Sequence, residues 1–319
     1  LLELQIQSKK SDEAFDKLAQ AYETLGQSEQ VQETYKRWSK FNPDAETPKA
    51  KAAPSTPAYQ EHEARGEFVE ALASLAETLA SQPDNQSELV AAQERLYQAW
   101  RDSLEEKSQY SEALDALRQQ RDQAGNSDKL QEEELRLYGA WAEHHETASQ
   151  WESATQVYLN QLEQKVAPEA ATQNLLRLYT GWSQEFTGQG DFEQAIQVWD
   201  RARSTSELEA DANSRISNLY LEWGQALRAS QDYSSALTVL EQGRAVADSD
   251  ELKAELGLTF VDWSAHWERE GDYEQAIDCL KRQATVVGES EAIQQQVLGL
   301  YRTWAEYLLE DGQKEAADE

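Results

Sequence analysis

The chain predicts an all-α fold, an α-solenoid of antiparallel helix pairs, on three observations. Tryptophan recurs as Trp100, Trp141, Trp182, Trp223, Trp263 and Trp304, at spacings of 41, 41, 41, 40 and 41 residues. Apolar residues tend to fall eleven, seven, four and three positions before it and four after it, all five being apolar around Trp182 (Ala171, Leu175, Leu178, Tyr179 and Phe186), Trp223 and Trp304. Such spacing places them on one helical stripe. A short turn then leads to a second stripe, as in Phe192, Ala195, Ile196, Val198, Trp199 and Ala202. A fixed period of this length marks one supersecondary unit stacked on copies of itself, each packing only on its neighbours.

The elements follow in order. Residues 1–10 read as the tail of a helix that starts upstream. Ser11-Asp12-Glu13 can accept orphan amide hydrogens and opens a helix to Leu25; Gly26 breaks it, and a second helix runs from Ser28 to Phe41. Residues 1–43 are thus an N-terminal helix pair, 44–57 a Pro/Ala-rich linker or long loop, and 58–319 an array of six to seven units with the last incomplete. Prolines confine a short helix near Tyr59–Arg65, Gly66 opens the next, and Pro83 stops it. In the regular units the first helix spans about 20 residues, roughly 30 Å. Turns such as Gly190-Asp191, Gln231-Asp232 and Gly271-Asp272 follow. The second helix carries a small residue thirteen positions after the tryptophan: Ala113, Ala154, Ala195, Ala236 and Ala276. Alanine there lets the two axes approach closely, and the six tryptophans read as repeat core.

Gly190-Asp191-Phe192-Glu193-Gln194-Ala195-Ile196 and Gly271-Asp272-Tyr273-Glu274-Gln275-Ala276-Ile277 resemble the helix-to-helix turn of the tetratricopeptide repeat family. Tyr22, Leu25, Gly26, Tyr35 and Pro43 fall where that family places its aromatic, turn and terminal proline. The resemblance implies a right-handed superhelix and a protein or peptide partner. The unit here is longer than the family's usual one by about two helical turns, as in kinesin light chain repeats. The small residue expected after the first-helix tryptophan also varies: Arg101, Ala142, Ser183, Gly224, Ser264 and Ala305.

Composition narrows the function. With 29 basic against 60 acidic residues the net charge is −31, which repels phosphate backbones and anionic lipid, so neither nucleic acid nor a membrane surface is an expected partner. No apolar run reaches a membrane span. The single cysteine, Cys279, excludes an internal disulfide and a cysteine-based zinc site, and lies on an apolar stripe. The chain holds no methionine and opens on Leu1-Leu2, so a leader, anchor or further domain is expected upstream. A cytoplasmic and a periplasmic or envelope location both remain open.

No catalytic constellation is visible, and no metal or cofactor is expected. His62, His144, His145 and His266 do not converge, no glycine-rich phosphate loop is present, and Glu132-Glu133-Glu134 reads as a solvated helix face. Five residues before the tryptophan stand Arg95, Arg136 and Arg177 in successive units, then Asn218. In the resembled family this position faces the concave groove, so a ladder there suits a partner carboxylate. The alternative is that each arginine pairs with a Glu or Asp of a neighbouring unit. Leu300, Tyr301, Trp304 and Leu308 form a stripe expected to meet further chain, another subunit or another protein. Two functions remain: a non-enzymatic protein–protein interaction scaffold, or a structural or regulatory arm of a larger assembly such as a signalling ATPase sensor or envelope or filament machinery.

Overall fold

The computed structural model describes residues 12–24, 28–41, 57–81 and 86–310, and among these every regular element is an α-helix. In chain order they are α1 (Asp12–Thr24), α2 (Ser28–Phe41), α3 (Ala58–Ala64), α4 (Phe68–Ser81), α5 (Gln86–Glu106), α6 (Tyr110–Ala124), α7 (Asp128–Thr147) and α8 (Trp151–Glu163). There follow α9 (Pro168–Gly188), α10 (Phe192–Arg203), α11 (Glu209–Ala229), α12 (Tyr233–Val246), α13 (Asp250–Glu270), α14 (Tyr273–Val287) and α15 (Glu291–Glu310). Residues 1–10 and, but for Pro57, the linker expected at 44–57 lie outside the described residues.

The chain forms two compact units, Leu1–Glu134 and Leu135–Glu319. In the first, α1 packs on α2, and α3 to α6 pack each on the next. In the second, consecutive packing runs unbroken from α8 to α15. Helix touching helix in sequence order is what a stack of hairpins requires, because each hairpin covers its apolar stripe with its neighbours. The core accordingly runs as a chain of clusters. Tyr59, Ala71, Leu75, Leu89, Ala92 and Leu96 make one in the first unit; Leu237, Leu240, Leu252, Leu256, Phe260 and Cys279 make one in the second.

Within a hairpin the crossing is set by small residues. Ala113, Ala154, Ala195, Ala236 and Ala276 are all fully buried. Across from them, Ala142, Ser183, Gly224 and Ser264 are buried too, and the Ser264 hydroxyl donates to the Ala276 carbonyl at 2.8 Å. The α11–α12 hairpin goes furthest. A Cβ built on Gly224 would collide with the Leu240 side chain, and one on Gly243 would stand 2.6 Å from the Tyr220 Cβ.

The repeat tryptophans stand at the rim of the core, Trp263 and Trp304 packing against its clusters. Trp100, Trp141, Trp182, Trp223, Trp263 and Trp304 are half-buried, not sealed in the core. The residue four before each is buried, completely so at Leu96, Leu137, Leu178 and Thr259. The indole instead spans the joint between hairpins. Its partner is the aromatic that opens the preceding second helix: Phe192 stacks on Trp223 at 6.1 Å, Tyr233 on Trp263 at 6.5 Å, and Tyr273 on Trp304 at 6.5 Å. The tyrosine one turn earlier lies against Trp182, Trp223 and Trp304. Where the opening aromatic is largest, Trp151, residue 181 is glycine, and a Cβ there would touch the Trp151 ring at 3.4 Å. Guanidinium groups add to this cover, Arg201 lying over Trp182 and Arg282 over Trp263.

The turns share a backbone device. Ser108, Ser149, Gly190, Gln231 and Gly271, each eight residues after the tryptophan, all have positive φ between 55° and 79°. Two are glycine, which takes this conformation freely; the others bear a Cβ that disfavours it. The next residue caps the second helix: the Asp191, Asp232 and Asp272 carboxylates accept from the amides of Gln194, Ser235 and Gln275 at 3.0–3.2 Å.

Two stability outcomes follow. Gly243→Ala should destabilise the chain by about 1–3 kcal/mol through overpacking against Tyr220. Gln231→Gly should raise stability by about 1 kcal/mol by relieving the left-handed turn. Thermal or urea unfolding reads both, and equal midpoints for the two variants would contradict the packing described.

Candidate partner-binding grooves between first helices

Neighbouring helices that carry the repeat tryptophans, among α5, α7, α9, α11, α13 and α15, flank grooves at several joints. In the second unit three such grooves are open. One, of 550 Å³, lies between α7 and α9 and is lined by Glu146, Tyr158 and Arg177 among others. Another, of 340 Å³, has Thr180, Ser183, Gln184 and Thr187 of α9 on one wall and Arg215, Asn218, Leu219 and Glu222 of α11 on the other. The third, of 360 Å³, has Val261, Ser264, Ala265 and Glu268 of α13 facing Gln296, Gly299, Leu300 and Thr303 of α15. The last two use identical register: two before and one, two and five after the first tryptophan, then eight, five, four and one before the next. In the first unit a 460 Å³ hollow includes Arg95, Gln98, Arg101, Lys129 and Glu133.

Arg95 and Arg177 line two of these pockets, and both are engaged. Arg177 lays both terminal nitrogens on the Glu146 carboxylate, at 2.7 and 2.9 Å. That hydrogen bond holds the Glu146 carboxyl below its usual range despite partial burial, and Glu146 in turn raises Arg177. Burial pushes the neighbouring Tyr158 phenol upward. Arg95 donates to Glu63 through Nε at 3.2 Å and Nη2 at 2.8 Å. Arg136 is not free either. The pairing with a neighbouring hairpin's carboxylate is therefore the state seen at Arg95 and Arg177. Asn218 stands in the same register, is exposed, and has Thr187 instead of a carboxylate across the groove.

The joint between α11 and α13 carries a different brace. Here the residue five after the tryptophan is Arg228. It donates through Nε to the buried Glu255 and through Nη1 to Asp262 at 2.6 Å, while Gln225 reaches Glu255 at 3.4 Å. The hydrogen bonds Arg228 donates to Asp262 and Glu255 raise its pKa. These two helices also touch directly, and Leu258, in the arginine register, is half-exposed.

Sequence reasoning missed Arg101 as a core group. It occupies the small-residue place at the helix crossing, is 3% exposed, and donates to the Gln98 and Gln120 side-chain carbonyls, with Glu133 at 3.6 Å. The available signal was an arginine where other units have Ala, Ser or Gly. It missed Arg215 as well, whose guanidinium lies 5.9 Å from the Trp199 ring at the mouth of the α9–α11 groove. At the end of the array Leu300 is buried, Trp304 and Leu308 are half-buried, and Tyr301 is 42% exposed.

Chemically these grooves offer hydrogen bonds and fixed charge. No three His, Cys, Asp or Glu side chains group into a metal site among the described residues. The buried Cys279 thiol is pushed up to about 11, mainly by burial, which suppresses its thiolate. His145 is tied to the Trp141 indole at 3.1 Å and to Gln150 at 2.8 Å. No helix of the described residues is long and apolar enough to cross a membrane.

No protein-family profile and no curated protein matches the chain. Among solved structures it is similar to BtubC (BKLC) from P. vanneervenii, at 17% identity over 72% of this chain and 91% of that one, with a TM-score of 0.22. It is similar to the quorum sensor NprR from B. thuringiensis, at 12% identity over 95% and 94%, TM-score 0.24. A tetratricopeptide repeat protein from Parabacteroides merdae matches at 13% identity over 90% and 98%, TM-score 0.18.

Two measurements test the braces. Arg228→Met should cost about 3 kcal/mol, because it leaves the Glu255 carboxylate buried without its cation; Glu255→Gln in the same chain should recover part of the loss. For Glu146, the folded pKa lies below the ordinary value of 4.5. Its contribution is full above that value and is lost as pH falls through the lower folded one. The acid arm of thermal stability should therefore be shallower in Arg177→Gln than in the parent chain, and an unchanged arm would refute the pairing.

Proposed function

We propose that the chain is a non-enzymatic protein-interaction scaffold, a long-repeat relative of the tetratricopeptide class. Its N-terminal helix pair (1–43) and array (58–319) flank a linker at 44–57, and open grooves between first helices hold a segment of a partner protein or peptide. The α9–α11 groove carries this reading. It has the register of the α7–α9 groove, which Arg177 spans, yet Asn218 stands opposite Thr187 here and no ion pair among the described residues crosses it. Gln184 and Asn218 offer amide donors and acceptors that a partner's main chain can use, and Arg215 adds a cation to the lining. In this reading Arg95, Arg136 and Arg177 hold the grooves' width and yield to an acidic partner only in competition with internal carboxylates. With a net charge of −31, nucleic acid is disfavoured as an occupant.

A second reading, the arm of a larger assembly, is favoured by the α15 surface alone. Tyr301, Tyr307 and Leu309 are each between 42% and 51% exposed there. That surface suits a neighbouring subunit more than an extended peptide.

Filling the groove separates these readings. Asn218→Trp places bulk between α9 and α11 on an exposed position, and should weaken a purified partner's binding at least about tenfold, or roughly 1.4 kcal/mol, with an unchanged circular dichroism spectrum. Tyr307→Asp should leave that binding intact. The reverse pattern would favour the assembly arm, and turnover of a substrate abolished by one point substitution would refute both.

A further inference from the structure

Two grooves hold an arginine on a carboxylate of the preceding hairpin at almost constant separation. Glu63 lies 32 residues before Arg95, and Glu146 lies 31 before Arg177. Each pair is a guanidinium fork on a carboxylate, with two hydrogen bonds between 2.7 and 3.2 Å. The α13–α15 groove keeps the acid and lacks the base. Glu268 stands five residues after Trp263, as Glu146 does after Trp141. Residue 299, 31 positions on and in the arginine register, is glycine.

The rest of the groove is consistent with a missing side chain. A Cβ built on Gly299 meets nothing within 4 Å, so the space the arginine stem would cross is open. Val261, Leu280 and Leu300 give that space apolar walls, suited to the methylenes of an arginine. Thr303 and Ser264 add hydroxyl oxygens that can accept from remaining N–H groups. No described cation lies within ion-pairing distance of Glu268, whereas Glu63 and Glu146 are both engaged. The surrounding charge, −31 over the chain, draws a cationic segment toward it.

We infer that the α13–α15 groove is a docking site for an arginine side chain supplied by a partner protein, whose guanidinium takes on Glu268 the place that Arg177 takes on Glu146. The partner segment is basic, and its arginine enters beside Gly299. Arginine is specified over lysine because both internal precedents are forked, two-bond contacts. The inference rests on the scaffold reading and assigns this groove's occupant.

The probe is an end-blocked octapeptide of alanine, serine and one central arginine, compared with the same peptide carrying lysine or the neutral isostere citrulline. Titration followed by amide chemical shifts locates the site. The arginine peptide should move the amides of Ser264, Gly299 and Thr303, with the lysine peptide weaker and citrulline at least about tenfold weaker. Glu268→Gln should abolish the preference for arginine. Gly299→Arg, which restores the internal pair, should abolish binding at this groove while the α9–α11 amides and the circular dichroism spectrum stay unchanged. Equal affinity for arginine and citrulline, no shifts at the three amides, or arginine preference retained in Glu268→Gln overturns the inference. Shifts confined to the α9–α11 groove also overturn it, but leave the scaffold reading standing. Should the parent chain self-associate and Gly299→Arg make it monomeric, the occupant is a second copy and the inference of a separate partner fails.

Discussion

Everything in the stack depends on the joint between one hairpin and the next, where the aromatic that opens a second helix lies flat on the tryptophan of the following first helix. Phe192 with Trp223, Tyr233 with Trp263 and Tyr273 with Trp304 repeat this contact at near-constant separation. Burying a large apolar face contributes favourably in proportion to area, and offset aromatic stacking adds a directional share. The direction matters more here than the amount. A flat ring on a flat ring fixes the rotation of one hairpin against its neighbour, and alanines at the helix crossing fix the distance within each hairpin. Groove width is then a consequence of two sets of contacts made elsewhere.

Charge decides what becomes of each groove. Between α7 and α9 an arginine spans it; between α11 and α13 an arginine starting from the opposite wall ties down two acids. Exposed pairs such as Arg177 with Glu146 contribute little to stability, so their retention in equivalent places is better understood as spacing. Among the described residues no ion pair crosses the α9–α11 and α13–α15 grooves, so their polar side chains face solvent without an internal strut.

The fold was legible because its signal is periodic and local. The spacing of apolar residues gave both helices of each regular hairpin, and the alanine register gave the crossing, since a helix stripe and a close approach depend on few neighbours. The tryptophans were harder. Their spacing marked the repeat, but their half-burial depends on which face a neighbouring aromatic covers, and periodicity does not encode that. Arg95 and Arg177 show the same division: their shared register was visible, while the choice between an internal carboxylate and a partner's depended on Glu63 and Glu146 lying one hairpin back. Ser108, Ser149 and Gln231 could not be read as left-handed, because only Gly190 and Gly271 in that register announce it by residue type.

The Arg228 brace also has a mechanical consequence. An ion-paired, directly touching joint between α11 and α13 resists bending, while the α9–α11 joint beside it carries no ion pair among the described residues. Stiffness is thus uneven along the second unit. The α11–α13 joint is therefore the harder of the two to open.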